Sequence, residues 1–211
     1  MIKYTLGNVT LICLLVLFNP IQTTLAGQAL SWNFKLDTVA GFPNNPHGVW
    51  AYMQNNPKNT NPAKYTLLPT YQTACNLSRW NIPIDKNLNC WQDLNSHVVF
   101  AALSKNQPYP YMHPGFVNQF IIRWTSPING NVGVLGTINS GDPSCGDGIK
   151  WFIRTTSNIL QAGLLQNGQG RDFFLRSLSV KKGSNLYFII DKNKNNDCDG
   201  TSLDILITNR Q

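Results

Sequence analysis

The sequence predicts an all-β protein, an antiparallel β-sandwich of jelly-roll or Greek-key type that is stapled by two disulfides. Three observations predict this fold class. Short runs rich in β-branched and aromatic residues recur along the chain, and segments rich in Gly, Pro, Asn and Asp separate them. Many runs alternate apolar and polar residues, as strands with one face on a core do. No stretch long enough for an ordinary helix keeps a helical period without Gly or Pro.

The second half of the chain gives the clearest strands. The runs predicted there are NQFIIRWTS, NVGVLGTIN, GIKWFIRTT, NILQAGLLQ, DFFLRSLSV, NLYFIID and SLDILIT. In the first of them Phe120, Ile122 and Trp124 share one face, which predicts that they lie in the core. The first half gives weaker strands at 30–37, 48–54, 64–70 and 96–104. Residues 72–95 show no clear strand pattern and are predicted to form a long loop tied by its own disulfide.

The N-terminus predicts export. Lys3 precedes the apolar run LICLLVLF, and small residues up to Ala26 fit a cleavage site, so residues 1–26 are predicted to be a signal peptide. The run is shorter than the roughly 20 residues that span a bilayer, and no later stretch is a candidate transmembrane segment. We expect a secreted protein of residues 27–211, a length that suits a single domain, with periplasmic transit if the source is Gram-negative.

The cysteines predict the disulfides. Cys13 lies in the signal peptide, and four cysteines follow it, an even number that suits pairing in an oxidising compartment. Three pairings are open to four cysteines. We favour Cys75–Cys90, which closes a short loop, together with Cys145–Cys198, which joins two polar loops that each precede a strand. No CxxC spacing occurs, so structural zinc is not predicted.

Composition argues against several classes of function. The formal net charge is +7, but Lys and Arg are scattered, so we expect no nucleic-acid partner. Charged residues make up 13% and aromatics 11% of the chain, which is typical of an extracellular folded domain and not of a disordered one. All ten acidic residues are Asp, none is set in an apolar pocket motif, and the three His residues are far apart. We therefore expect that the protein is not an enzyme, and we separately expect a monomer.

Several segments, taken in order, resemble a β-sandwich module of exported bacterial proteins. They are NPHGVWAYM, MHPG, FIIRWTSPINGNVGVLGTI, GDGIKWFI and GSNLYFIIDKNKNNDCDGTSLDILI, which together cover most of residues 30–208. This architecture is similar to that of carbohydrate-binding modules of the calcium-tied jelly-roll type. The resemblance implies that Asp204, in the last strand, ligates a structural calcium with Asp37 as a partner. The chain departs from the pattern in its extra cysteines and in residues 72–95.

The loop DKNKNNDCDGTSLD gives a separate indication of calcium. It begins like an EF-hand loop, with Asp-x-Asn-x-Asn, but lacks the glycine and the glutamate of that motif. Two interpretations stay open. The loop is either a polar hairpin whose Asp and Asn residues cap its own turns, or a calcium site built from carboxylates and backbone carbonyls. The carboxylates that such a site could use are those of Asp197, Asp199 and Asp204, joined by Asp147 if Cys145–Cys198 forms.

Aromatic residues in polar loops predict a ligand surface. Sugar rings have flat C–H faces that stack on exposed aromatic side chains, and loops are where such side chains reach solvent. The candidate binding residues are Trp80, Trp91, Tyr109, Tyr111 and His113. We predict a non-catalytic module that binds a glycan or another cell-surface ligand. Two alternatives stay open: a hydrolase acting on glycan or lipid through loop Asp and His residues, and a protein-binding effector with the sandwich as scaffold.

Overall fold

The part of the chain that the structure describes folds as two antiparallel sheets whose inner faces enclose a hydrophobic core. The computed structural model describes residues 29–75, 85–93, 99–104, 110–141 and 143–210. In chain order the elements are β1 (Ser31–Asn33), α1 (Phe34–Gly41), β2 (Trp50–Asn55), a short 3-10 helix (Pro62–Lys64), β3 (Thr66–Leu67), β4 (Thr70–Cys75), β5 (Asp85–Asp93), β6 (Val99–Ser104), β7 (Tyr111–His113), β8 (Gln119–Thr125), β9 (Gly130–Ser140), β10 (Ile149–Arg154), β11 (Ile159–Leu165), β12 (Gly170–Val180), β13 (Asn185–Lys192) and β14 (Thr201–Arg210).

Strand order confirms the predicted antiparallel sandwich. In the described residues one sheet has the order β12-β9-β14-β7-β6-β5-β4, and β1 pairs with β14 beside this path. The other sheet has the order β11-β10-β13-β8-β2-β3. The chain passes repeatedly between the two sheets, so strands distant in sequence become neighbours, as in Greek-key sandwiches.

The core between the sheets is rich in aromatic residues. Phe120, Ile122 and Trp124 are fully buried on the inner face of β8, as their shared face predicts. Phe34 packs edge-on against Trp50, with ring centroids 5.2 Å apart. Each of these large side chains contributes about 1.5–3 kcal/mol by leaving water. This core fixes the register of both sheets and therefore which side chains each sheet presents to solvent.

Both favoured disulfides are present. Cys75–Cys90 joins the neighbouring strands β4 and β5, and its sulfur atoms pack with Ala102 in a small apolar cluster. Cys145–Cys198 joins the β9–β10 loop to the β13–β14 loop. The second bridge therefore holds two Asp-containing loops side by side.

Residues 30–37 differ from the predicted strand. The segment is extended only to Asn33 and then forms α1. The side chain of Asn33 accepts a hydrogen bond from the backbone N–H of Leu36 at 3.0 Å, which is the cap of a helix N-terminus. The helix is favoured because Asp37 stands in its first turn, where a negative charge is stabilised.

Residues 72–95 also differ from the predicted loop in their described part. They contain the end of β4 and the whole of β5, which pair with Gln72 opposite Cys90. The Gln92 side-chain amide donates a hydrogen bond to Gln72 Oε1 at 2.5 Å, and Gln92 is fully buried. A strand pair that buries polar side chains against each other shows no apolar alternation in its sequence.

The predicted signal peptide, residues 1–26, lies outside the described residues. Within the ranges described above, the structure has no helix of the length and apolarity that crossing a membrane requires.

Candidate functional site

The loop aromatics predicted to bind ligand lie in different settings. Trp80 and Tyr109 are outside the described residues. Trp91 is half-buried in β5, and its indole N–H donates a hydrogen bond to the carbonyl oxygen of Phe42 at 2.6 Å. Its ring centroid lies 5.3 Å from that of Tyr71. The Trp91 ring therefore packs against the core between these partners.

Tyr111 and His113, both in β7, lie on the face of the larger sheet opposite Met112, which belongs to the main core, and neighbouring residues cover them there. Tyr111 is half-buried against the Cys75–Cys90 cluster, and its hydroxyl fills the space that a side chain at Gly200 would need. His113 is only 6% exposed, with Nδ1 2.6 Å from the carbonyl oxygen of Pro114. Burial lowers the pKa of His113 to about 4. The imidazole is therefore neutral at neutral pH, and Nδ1–H is the donor to Pro114.

The residues predicted to bind metal separate into three places. Asp37 lies in the first turn of α1, where its carboxylate accepts a hydrogen bond from the indole N–H of Trp50 at 2.8 Å. Asp204 is exposed on β14. The structure brings the other three together, at the loops that the second disulfide joins: Asp147, Asp197 and Asp199.

These two loops, residues 145–148 and 191–200, are called here the acidic loop pair. Asp147 links them, since its carboxylate accepts hydrogen bonds from the backbone N–H groups of Lys194 at 3.0 Å and Asn195 at 3.3 Å. A Cβ atom at Gly146, where φ is +82°, would lie 1.9 Å from the carbonyl oxygen of Asp197. Only glycine allows this approach, so the loops meet backbone to backbone.

Asp199 has the most unusual environment in the acidic loop pair. Its side chain is 0% exposed, and neither carboxylate oxygen has a hydrogen-bond partner among the described residues. Burial, together with the charges of Asp147, Asp197 and Asp191, raises the pKa of Asp199 to about 8. Within the described chain, no three His, Cys or Asp side chains form a cage for a metal ion.

A second candidate site lies on the solvent face of the larger sheet. Outward-facing side chains of β12, β9 and β14 line a depression of about 470 Å³, called here the outer groove. One row across it is apolar, because Phe174 pairs with Leu135 and Leu135 with Leu206. Phe174 is 49% and Leu135 47% exposed. An aromatic ring this accessible on a sheet face is available to a partner.

The next outward row of the outer groove is polar. Asp172 pairs with Thr137, and Thr137 with Asp204. The Thr137 hydroxyl donates a hydrogen bond to Asp172 at 2.6 Å, and both carboxylates are exposed. Because outward residues of a strand are about 7 Å apart, the polar row runs alongside the apolar one. A smaller depression of about 290 Å³ continues past Asp204 along Ser202.

Sequence reasoning missed the outer groove, although one signal for it is readable. Phe173 and Phe174 are consecutive in a strand, so their rings must point to opposite faces of the sheet. Phe173 is buried and Phe174 exposed. Gly136 opposite Phe173 leaves room for the inward ring, since a Cβ there would lie 2.5 Å from it.

The outer groove combines an apolar contact surface with hydrogen-bonding groups for a ligand. Its apolar row can cover a flat C–H surface, and the carboxylates and hydroxyl beside it can exchange hydrogen bonds with hydroxyl groups. Ionised carboxylates only accept hydrogen bonds and repel anions. The groove is therefore suited to a neutral, hydroxyl-rich ligand with an apolar face.

No protein-family model and no curated protein matches this sequence. Among solved structures, the K1 cleaved adhesin domain of Lys-gingipain from Porphyromonas gingivalis W83 is 10% identical with a TM-score of 0.39, and 88% of this chain and 99% of that chain are covered. TmCBM61, solved in complex with β-1,4-galactotriose, is 10% identical with a TM-score of 0.37, covering 58% of this chain and 88% of its own. Dimeric latent PorU from Porphyromonas gingivalis is 12% identical with a TM-score of 0.31, covering 43% of this chain, which spans 10% of PorU. Similarities at these TM-scores carry no argument about function.

Proposed function

We propose that the protein is a secreted, non-catalytic module that binds carbohydrate through the outer groove. The observation that carries the proposal is the exposed Phe174 ring in an apolar row beside two exposed carboxylates. A sugar ring has an apolar C–H face and a rim of hydroxyl groups. The C–H face would cover Phe174 and Leu135, while the hydroxyls would donate hydrogen bonds to Asp172 and Asp204.

The arrangement of the two carboxylates supports binding without catalysis. Asp172 and Asp204 lie on strands that flank β9, so their Cα atoms are about 10 Å apart. Both side chains stand on an open sheet face that water reaches. A glycosidase needs one carboxylic acid held protonated by an apolar, water-poor pocket, and the groove supplies none around either residue.

Secretion is supported by the two disulfides. Such bonds persist in oxidising compartments and are rare in the cytosol. The signal peptide predicted at residues 1–26 would deliver the chain to such a compartment.

A glycan array probed with residues 27–211 tests the proposal. We expect a consistent set of bound glycans. For the best-bound glycan, Phe174→Ala should weaken the affinity at least about tenfold in titration calorimetry, because it removes the apolar surface that the sugar face would cover. Asp204→Asn should also weaken binding, since an amide accepts fewer hydrogen bonds than a carboxylate.

Phe116→Ala is the matched control. Phe116 is a 57% exposed phenylalanine in the loop after His113, away from the outer groove, and its loss should leave the affinity unchanged. Loss of binding in Phe116→Ala but not in Phe174→Ala would move recognition to the loop surface predicted from the sequence. A blank array would contradict carbohydrate binding and favour the protein-binding effector. Release of reducing ends from a bound glycan would establish the hydrolase instead.

A further inference from the structure

Within the described chain, the carboxylate of Asp199 is buried with no hydrogen-bonded group to balance its charge. It is 0% exposed, and both oxygens are buried without a hydrogen-bond partner among the described residues. Its backbone carbonyl does have a partner, since the Thr201 hydroxyl donates to it at 2.9 Å. Burying an ionised carboxylate without a partner is strongly unfavourable, so such groups are normally paired, protonated or bound to a metal.

The charges around Asp199 make its ionised form still less favourable. Three carboxylates repel a negative charge on Asp199: those of Asp147, Asp197 and Asp191. The Lys192 ammonium has the opposite effect, but it lies over the Phe116 ring, 4.0 Å from the centroid. A cation next to Asp199 would remove both the burial cost and the repulsion at once.

Two of the three neighbouring carboxylates, those of Asp191 and Asp147, have hydrogen bonds that hold them in place. Asp191 accepts a hydrogen bond from the side-chain amide of Gln119 at 3.0 Å. Asp147 accepts from the backbone N–H groups of Lys194 and Asn195. These bonds orient two of the acidic groups around Asp199 without satisfying Asp199 itself.

The acidic loop pair is also held in place independently of any ion. Cys145–Cys198 ties the two loops covalently, and Cys198 directly precedes Asp199. Gly146 on one side and Gly200 on the other sit against neighbouring atoms that leave no room for a Cβ. The oxygen donors that the two loops supply are carboxylates, Asn side-chain amides and backbone carbonyls, which are the ligands that calcium prefers.

We propose that Asp199 is the anchoring ligand of a calcium site within the acidic loop pair. Backbone carbonyl, amide and water oxygens complete the coordination shell, because no three His, Cys or Asp side chains of the described chain converge as a cage. Calcium suits this mixture better than magnesium, which requires a small, regular octahedron. Zinc is disfavoured because both cysteines of the loops are in a disulfide. The site is separate from Asp37 and Asp204, the positions that the sequence resemblance implies.

Thermal unfolding in calcium and in chelator tests the proposal. With calcium about a hundredfold above its Kd, the melting temperature of the wild type should rise by about 5–10 °C, since an ion bound only to the folded state stabilises it. Asp199→Asn should lose this rise. In chelator it should melt no lower than the wild type, because the amide has the same shape and stays neutral when buried without having to hold a proton.

Asp204→Asn is the matched control, the same substitution on an exposed residue five positions along the chain. It should keep the full calcium-dependent rise. No rise in the wild type at millimolar calcium overturns the proposal, and so does a full rise in Asp199→Asn. Loss of the rise in Asp204→Asn alone would place calcium where the resemblance implies.

Two further measurements keep the test decisive if Asp199→Asn does not fold. Titration calorimetry of calcium into the chelator-treated wild type should give one ion per chain. Asp191→Asn keeps an oxygen for the Gln119 hydrogen bond and removes one neighbouring charge, so it should fold and bind calcium several-fold more weakly. An unchanged calcium affinity in Asp191→Asn would place the ion away from Asp199.

Discussion

At the scale of single residues, burial decides the chemistry of His113. The pKa of its imidazole falls from 6.5 to about 4 because the ring is desolvated in β7. In the unfolded chain the His113 imidazole therefore takes up a proton below pH 6.5, while in the folded chain the same imidazole stays neutral until about pH 4. Its contribution to stability is complete above pH 6.5 and is lost as the pH falls toward 4. His47, whose pKa burial also lowers, acts in the same direction.

We predict that His113→Asn is less acid-sensitive than the wild type. Asn keeps a side-chain N–H for the Pro114 carbonyl but does not titrate. Between pH 7 and pH 5 the wild type should lose about 2 kcal/mol more of its unfolding free energy than the variant. Urea unfolding at both pH values measures the difference. An equal loss in both proteins would mean that His113 accepts a proton without unfolding.

At the scale of elements, the second disulfide, Cys145–Cys198, stabilises the fold more than the first, Cys75–Cys90. Cys145–Cys198 spans 53 residues of sequence and Cys75–Cys90 spans 15. Loop-closure entropy in the unfolded chain grows with that span, giving about 4 kcal/mol for the longer loop and about 3 kcal/mol for the shorter one. The longer bridge also joins two separate loops, whereas the shorter joins strands that already pair.

We therefore predict that replacing both Cys145 and Cys198 with Ser lowers the unfolding free energy by about 4 kcal/mol. Replacing Cys75 and Cys90 with Ser is the matched comparison, with an expected loss of about 3 kcal/mol. Denaturant unfolding under non-reducing conditions measures both. A loss below about 1 kcal/mol in the first variant would show that the hydrogen bonds of Asp147 hold the loops together unaided.

The strands that could be predicted are those with apolar residues at regular positions, buried on one face of the sheet or on both. Ile149, Trp151 and Ile153 alternate with less buried residues in β10, and the sequence shows the same alternation. The helix α1 could not be predicted in this way, because the alternation of LSWNFKLD matches a strand. The cap at Asn33 overrides it. In β4 and β5 the half-buried Gln72 bonds to the fully buried Gln92, a polar pair that hydrophobic periodicity does not detect.

The candidate sites also differ in how far local sequence patterns could predict them. The approach of Asp147 to Asp199 follows from one disulfide, so it could be predicted from four cysteines and two polar loops. The outer groove depends on the register among β12, β9 and β14, which are far apart in sequence. Cross-strand register is set by how the whole core packs, and local patterns do not encode it. The burial of Asp199 has the same non-local origin.

At the scale of the whole molecule, the two sites occupy different surfaces. The outer groove lies on a sheet face, and the acidic loop pair lies at the ends of β9, β10, β13 and β14. Asp199 precedes Asp204 by five residues, which is about 15 Å along an extended chain. The groove is built from strands already fixed by the core, whereas the loops are fixed by a disulfide and hydrogen bonds. Neither site needs the other to form.

We predict that glycan affinity is insensitive to calcium. Sites more than about 10 Å apart without shared partners couple weakly, so the Kd in calcium and in chelator should agree within about twofold. Asp199→Asn should bind the same glycan with unchanged affinity. Calorimetry must be run well below the melting temperature in chelator, because loss of folded protein would imitate loss of binding. If chelation abolishes binding while the fold stays intact, the ligand must contact the acidic loop pair, and the outer groove is not the recognition surface.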